Sequence, residues 1–258
     1  MQQVLISLGA FGAAEVRRHG QLWFTQLAHA ARADGVEVRG ELLNDAATEL
    51  PAIGRVAREH GLALVYSSPE GLWSADGSLD ASALQRALDA AKAVGAPRLK
   101  MSIGGFGAGG DPAFPQLAQA LRDRAIDLLI ENDQTVSAGT VPALRTFFSQ
   151  ARAAGLRLGM TFDMGNWRWT GECPLDAARL LAREVVYIHT KGVQRQPQRW
   201  VAVPLADSAD PWRTILRTLP RGLPWAIEYP LQGDDLLAVT REQVRLLREV
   251  AATLGDSP

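Results

Sequence analysis

The chain has 258 residues, 47% of them apolar, so it is long enough for one large domain or two ordinary ones. Its 27 basic and 28 acidic residues give a formal net charge of −1, with no basic stripe or acidic tail. These features argue against binding to nucleic acid or to an anionic membrane surface. Cys173 is the single cysteine, which excludes an intramolecular disulfide and favours a reducing, cytoplasmic setting.

The first residues are apolar but do not resemble a targeting segment. Residues 4–14 read VLISLGAFGAA, yet no Lys or Arg precedes them and glycines interrupt the run. No stretch approaches the roughly 18 consecutive apolar residues that a membrane span needs. The sequence therefore predicts a soluble enzyme with no membrane partner.

Short runs of β-branched and aliphatic residues recur along the chain at intervals of roughly 30 residues, separated by stretches with the apolar spacing of helices. We predict eight strands from these runs: 4–8, 36–40, 62–66, 98–102, 127–131, 158–162, 185–189 and 225–228. Glycine accepts the left-handed conformation that ends a helix, and four glycines just before predicted strands are predicted helix stops. They are Gly35, Gly61, Gly95 and Gly155.

Strands that alternate with helices form parallel sheets, and eight such units predict a closed barrel. The fold class is therefore α/β, a (β/α)₈ TIM barrel, and we expect residues 1–258 to form a single domain. A doubly wound open sheet is the alternative.

TIM barrels place their chemistry at the carboxyl ends of their strands. The last four predicted strands each end in a residue that commonly binds metals: Glu131, Asp163, His189 and Glu228. Three neighbouring carboxylates repel each other unless a cation neutralises them. Carboxylate oxygens with one imidazole suit Mn²⁺, Mg²⁺, Co²⁺ or Zn²⁺. We predict one divalent metal ion as cofactor; the alternative is four separate ion-paired or solvated residues.

With these four residues at gaps of 32, 26 and 39, the chain resembles the xylose-isomerase-like TIM barrels. This family includes ketose 3-epimerases, hydroxypyruvate isomerases, and inosose and dehydroshikimate dehydratases. The resemblance implies that the four residues bind the metal and that Glu131 and Glu228 are the catalytic acid/base pair. It implies an isomerase or epimerase acting on a keto-sugar, sugar acid or sugar phosphate through a metal-stabilised enediolate. Family members often dimerise, so a homodimer is also implied.

The chain departs from this family's sugar-recognition residues at several positions. Gly192 stands where the family often has Asp, and Ser137 where ketose 3-epimerases have a second Glu. Asn166 replaces their His, whereas Arg195 matches their substrate-binding Arg. The metal site therefore transfers well, while the recognition of a particular sugar is only partly shared.

Several further residues are predicted to bind the substrate. Lys100 ends the fourth strand and could donate to a substrate oxygen; a surface lysine is the alternative. Lys191 and Arg195 follow His189 and could hold a carboxylate, phosphate or hydroxyl group. Sugars pack their C–H faces on aromatic rings, so we predict Trp167 and Trp200 as pocket walls, with core packing as the alternative. The connection 191–210 is long and is predicted to act as a lid.

Other functions use the same residues or are excluded by them. A metal-dependent dehydratase or lyase needs the same metal and base, and a sugar-binding barrel with a vestigial site is the non-enzymatic alternative. DNA repair of the endonuclease IV type needs a histidine cluster, but only His189 among the four histidines ends a strand. Glu37, Arg39 and Glu41 alternate along the second strand, facing either the barrel mouth or the outside if the register shifts by one.

Overall fold

The computed structural model describes residues 1–107, 113–122 and 124–255. Its strands are β1 (Val4–Ser7), β2 (Gly35–Arg39), β3 (Ala63–Trp73), β4 (Arg98–Gly104), β5 (Asp127–Glu131), β6 (Gly159–Asp163), β7 (Val185–Thr190), β8 (Gly192–Arg195), β9 (Trp200–Val203) and β10 (Trp225–Ile227). Its α-helices are α1 (Ala13–His19), α2 (Gln21–Ala30), α3 (Ala46–His60), α4 (Ala81–Val94), α5 (Phe114–Leu121), α6 (Val141–Ala153), α7 (Pro174–Leu181), α8 (Trp212–Thr218) and α9 (Leu236–Gly255).

Eight of these strands close into a barrel in the order β1-β10-β7-β6-β5-β4-β3-β2, with β1 paired to both β10 and β2. Every pairing in the barrel is parallel. The predicted (β/α)₈ TIM barrel is therefore confirmed. No helix among the described residues is long and apolar enough to cross a membrane.

The inside of the barrel is built in layers, because side chains two residues apart on a strand share a face. An apolar layer fills one level of the interior and consists of Leu5, Val65, Leu129, Tyr187 and Ala226. Two residues further along the chain from each of these positions the side chains are polar: Ser7, Ser67, Glu131, His189 and, directly after β10, Glu228. Because alternate side chains of a strand share a face, three of the predicted metal ligands lie one layer above the apolar layer inside the barrel.

Two segments differ from the predicted elements. β3 continues to Trp73 and changes register between Ser67 and Gly71, so it is longer than the predicted strand at 62–66. Part of the predicted lid at 191–210 is an antiparallel hairpin, in which β8 pairs with β9 from Gly192 opposite Val203 to Arg195 opposite Trp200. The apolar-polar pattern of this hairpin is too short to be distinguished from a loop in the sequence.

The predicted helix stops are correct at three of the four glycines. Gly61 and Gly95 cap α3 and α4 in the left-handed conformation, and Gly155 follows α6 with φ 80°. Gly35 is wrong as a helix stop, because α2 ends at Ala30 and Gly35 begins β2. A Cβ there would lie 2.2 Å from the Ala63 carbonyl oxygen, so close strand packing explains this glycine.

A glycine inside α3 allows α3 and α4 to pack closely. A Cβ added to Gly54 would lie 2.3 Å from the carbonyl oxygen of Val94, the last residue of α4. Helix propensity alone predicts that Gly54→Ala stabilises the protein by about 1 kcal/mol. We expect instead a loss of about 1–3 kcal/mol in the free energy of unfolding, because the helices must separate. Urea unfolding beside the exposed-site control Arg55→Ala tests this, and a stabilised Gly54→Ala protein would contradict it.

Candidate metal centre

Four predicted metal ligands come together at the carboxyl end of the barrel. Glu131, Asp163 and His189 lie at or next to the ends of β5, β6 and β7, and Glu228 directly follows β10. One ligand atom from each residue lies within 4.8 Å of the others, an arrangement that could hold a metal ion. Asp163 and His189 are fully buried, while the side chains of Glu131 and Glu228 keep 16% and 13% exposure. Asp163 and His189 therefore form the buried side of the candidate site, and Glu131 and Glu228 form its partly exposed side.

Asp163 is oriented by hydrogen bonds to backbone groups. Its Oδ1 accepts from the N–H groups of Gly165 and Asn166, both at 2.8 Å. The Asn132 side chain accepts from the Asp163 N–H at 2.9 Å and donates to the Asp163 carbonyl oxygen at 3.0 Å. These contacts fix the carboxylate and leave Oδ2 facing the centre.

His189 connects the ligand group to a residue on β2. Its Nδ1 lies 2.8 Å from Glu228 Oε2 and 3.0 Å from Glu131 Oε1. Its Nε2 lies 2.8 Å from Oε2 of Glu37, whose side chain is fully buried. The ring therefore turns Nδ1 toward the other ligands and Nε2 toward Glu37.

Cationic side chains surround the carboxylates. The Lys191 ammonium group lies 2.8 Å from Asp163 Oδ2 and 2.9 Å from Glu228 Oε2. Lys100, with 1% exposure, lies between Glu37 and Glu131. The Arg39 guanidinium donates to Glu228 Oε1 at 2.6 Å. These contacts compensate much of the negative charge that strand ends bring together.

Burial and close opposite charges set the pKa values in the centre. Burial favours the neutral form of each group and is the largest influence on all of them. The charges of His189 and Lys191 nevertheless hold the pKa of Glu228 well below its usual value, and Lys100 and His189 lower the pKa of Glu131. Burial outweighs the Lys191 charge at Asp163 and raises the pKa of that carboxyl group. Glu131 and Glu228 are therefore ionised at neutral pH, the form that binds cations.

The residues present fit a divalent metal ion. Oε1 of Glu131 is buried, and no described group donates a well-aligned hydrogen bond to it. Five carboxylates and three cationic side chains form the contacting network: Glu37, Glu41, Glu131, Asp163 and Glu228 with Arg39, Lys100 and Lys191. Although burial lowers the pKa of His189, the charges of Glu228 and Glu37 raise it well above its usual value. A divalent ion would replace the proton that the ring then carries in the metal-free protein and would balance the excess of carboxylates over cationic side chains. Oxygen donors with one imidazole are a ligand set for Mg²⁺, Mn²⁺, Co²⁺ or Zn²⁺.

A cavity of about 430 Å³ opens beside the centre. Lys191 and Glu228 line it on the side of the centre, Arg17 and Arg39 add positive charge, and Gln232 contributes an amide. A larger groove of about 570 Å³ runs along α9, but none of the four ligands lines it. Because chemistry requires contact with the ligand group, we place the candidate substrate site in the smaller cavity.

The family model that matches this chain is the xylose isomerase-like TIM barrel, over residues 25–250. The chain belongs to this family. A search of curated protein sequences gives no significant match to this xylose isomerase-like barrel.

Solved structures similar to this xylose isomerase-like barrel include both sugar epimerases and a dehydratase. A D-allulose 3-epimerase from Methylomonas sp., in complex with D-allulose, is 13% identical, with a TM-score of 0.65 and 96% of each chain covered. The probable 3-DHS dehydratase AsbF of Bacillus anthracis is 14% identical, with a TM-score of 0.67 and coverage of 96% of this chain and 99% of that one.

A third solved structure carries a metal. A xylose isomerase-like TIM barrel protein from Mycobacterium smegmatis, in complex with magnesium, is 18% identical, with a TM-score of 0.62 and coverage of 98% and 97%. At these identities the three likenesses show a shared fold and leave the reaction of this chain to be inferred from its own residues.

The predicted substrate-binding residues of this xylose isomerase-like barrel lie in different environments. Asn166 is at the centre, where its Oδ1 accepts from Lys191 at 3.1 Å. Trp167 is fully buried and packs on Phe162 with ring centroids 5.3 Å apart, which is the position of a core residue. Arg195 and Trp200 lie opposite each other on the β8–β9 hairpin, with Cζ of Arg195 5.5 Å from the centroid of the Trp200 ring. Their described contacts do not include the four candidate ligands. The structure thus places Asn166 and Lys191 at the ligand group, and Arg195 and Trp200 at the hairpin.

Glu37 is the residue of this centre that sequence reasoning left undecided. Glu37 and Arg39 both turn into the barrel, where they contact His189 and Glu228 respectively. The signal was present as charged residues at alternate positions of a strand. Only the register of β2 against β1 and β3 decides which face those positions occupy.

Proposed function

We propose that this protein is a divalent-metal-dependent isomerase or epimerase that moves a proton on a keto-sugar or a keto-sugar acid or phosphate. The observation that carries the proposal is the convergence of Glu131, Asp163, His189 and Glu228 within 4.8 Å beside an open cavity. A divalent ion held there would polarise the carbonyl and hydroxyl oxygens of a sugar and make the neighbouring C–H more acidic. Side chains of this protein would then transfer the proton.

Glu131 and Glu228 are the proposed proton carriers. β5 and β10 are separated in the barrel by β6 and β7, so the two carboxylates approach the centre from different sides. One can remove a proton from one face of the substrate carbon, and the other can return a proton to the opposite face. Each is ionised because of the cations beside it, and each keeps some exposure toward the mouth. Inversion at the carbon, the result of an epimerase, follows from this placement.

Other residues would hold the ion and the sugar. Asp163 and His189, both fully buried, are the proposed ligands without a role in proton transfer. Lys191 and Asn166 lie next to the ligands and would donate hydrogen bonds to substrate oxygens. We also propose that Arg195 and Trp200 contact the substrate from the β8–β9 hairpin, which requires the hairpin to move toward the cavity.

Metal content and proton exchange test this proposal together. We expect about one divalent ion per chain in wild-type protein supplied with Mn²⁺, and deuterium incorporation into a keto-sugar in deuterated water. A Glu131→Gln, Glu228→Gln double variant should lose both, because two of the four ligands lose their charge. Wild-type protein that binds neither Mn²⁺ nor Co²⁺ would overturn the metalloenzyme and leave a barrel without this chemistry. Exchange accompanied by loss of water would identify a dehydratase that uses the same base.

A further inference from the structure

A chain of buried charged groups lies beneath the four ligands and joins two of them. Glu131 Oε2 lies 2.8 Å from the Lys100 ammonium group, which lies 3.0 Å from Glu37 Oε1. The other oxygen of Glu37, Oε2, lies 2.8 Å from His189 Nε2. Glu37 and Lys100 have 0% and 1% exposure, so neither can be reached from the cavity. Their contacts are directed at ligands, not at the position of a substrate.

The hydrogen bond between Glu37 and His189 determines which ring nitrogen of His189 is available to a metal. An imidazole ring that donates from one nitrogen presents the lone pair of the other, and a carboxylate acceptor fixes that choice. Glu37 Oε2 lies 2.8 Å from Nε2, so a neutral His189 that binds a metal would donate there and present the lone pair of Nδ1, the atom next to Glu131 and Glu228. Ser7 Oγ at 3.5 Å and Arg39 Nη1 at 3.7 Å also lie close to Glu37 and limit its movement.

Lys100 likewise determines which carboxylate oxygen of Glu131 is available to a metal. Its ammonium group lies 2.8 Å from Oε2 in an ion pair, while Oε1, a buried oxygen without an aligned donor, lies 3.0 Å from His189 Nδ1. Two oppositely charged groups buried together gain little net stability over an apolar pair of similar volume. An apolar pair at these two positions would not hold the Glu131 carboxylate and the His189 imidazole in a fixed orientation.

We propose that Glu37 and Lys100 are positioning residues for the metal centre. They orient Nδ1 of His189 and Oε1 of Glu131 toward the ion and do not contact the substrate. This role replaces direct substrate binding by Lys100 and adds Glu37 to the functional residues. The inference rests on the proposed metal centre, since it concerns how that centre is held in shape.

The test measures metal binding in three variants. Glu37→Gln keeps the shape of the side chain but removes its charge. The double variant Glu37→Met, Lys100→Met removes both buried charges together and leaves neither uncompensated, so it decides the question if the single variant does not fold. Asp34→Asn is the matched control, because Asp34 accepts from Val4 N–H at 2.7 Å and pairs with Arg248, away from the four ligands.

We expect Mn²⁺ affinity, measured by titration calorimetry, to fall about 10–100-fold in the double variant and in Glu37→Gln if it folds, with no change in Asp34→Asn. The visible spectrum of bound Co²⁺, which reports ligand geometry, should change in the same variants. Wild-type affinity and an unchanged spectrum in the double variant would overturn the positioning role while leaving the metal centre intact. An equal loss in Asp34→Asn would also overturn it, as a general loss of stability. Wild-type protein without affinity for Mn²⁺ or Co²⁺ would overturn the metal centre itself.

Discussion

Replacing Glu228 with glutamine is expected to slow proton exchange of one epimer of the substrate by about 10²–10⁴-fold, even with saturating Mn²⁺. The amide cannot accept the proton, although it keeps the size of the carboxylate. Glu131→Gln should have an equally large effect on the other epimer, because the two side chains approach from different sides of the centre. Deuterium incorporation into each epimer, followed by NMR, measures both effects.

The control for this pair is Glu70→Gln, which removes an exposed carboxylate that pairs with Arg86. It should exchange both epimers at the wild-type rate. If one of the two variants slows both epimers and the other slows neither, a single carboxylate carries the proton in both directions. That result would exclude the two-sided mechanism.

Stability should depend on pH through Glu37. Burial alone would raise the pKa of Glu37, but the charges of His189 and Lys100 lower it from 4.5 to about 2. Because the folded-state pKa lies below the unfolded-state value, the carboxylate stabilises the metal-free protein above about pH 5. This contribution, on the order of 3 kcal/mol, is lost as the pH falls from 4.5 toward 2.

Urea unfolding of metal-free wild-type and Glu37→Gln proteins measures this contribution. We expect the free energies of unfolding to differ by up to about 3 kcal/mol at pH 7 and by clearly less at pH 3. A difference that stays constant between these pH values would mean that packing, and not the charge of Glu37, stabilises this part of the barrel.

The convergence of the four candidate ligands was predictable from the sequence because two simple rules apply to them. Strand ends are marked by the change from an apolar run to a polar residue, and a parallel barrel gathers those ends at one mouth. Glu131, Asp163 and His189 each follow such a run, so their convergence needs no knowledge of loop structure. The resemblance of these four residues and their spacing to the xylose-isomerase-like barrels is confirmed by the family match over residues 25–250.

Residues whose environment depends on register or on loop structure could not be predicted in this way. The faces of Glu37 and Arg39 depend on a one-residue register, which the alternation of charges does not fix. Lys100 does not end its strand as expected, because β4 continues to Gly104, and its side chain lies inside the barrel between Glu37 and Glu131. Trp167 follows β6 on the catalytic side, but a short 3₁₀ turn folds it into the core.

Among the described residues, an apolar layer closes the interior of the barrel below the four candidate ligands. Leu5, Val65, Leu129, Tyr187 and Ala226 fill the level below the ligands, and each has 2% exposure or less. The partly exposed edges of Glu131 and Glu228 face the other way. The proposed metal ion would therefore enter from the same side as the proposed sugar. For the proposed enzyme we therefore expect ordered binding, with the ion first and the sugar second, and slower loss of the ion when the sugar is bound.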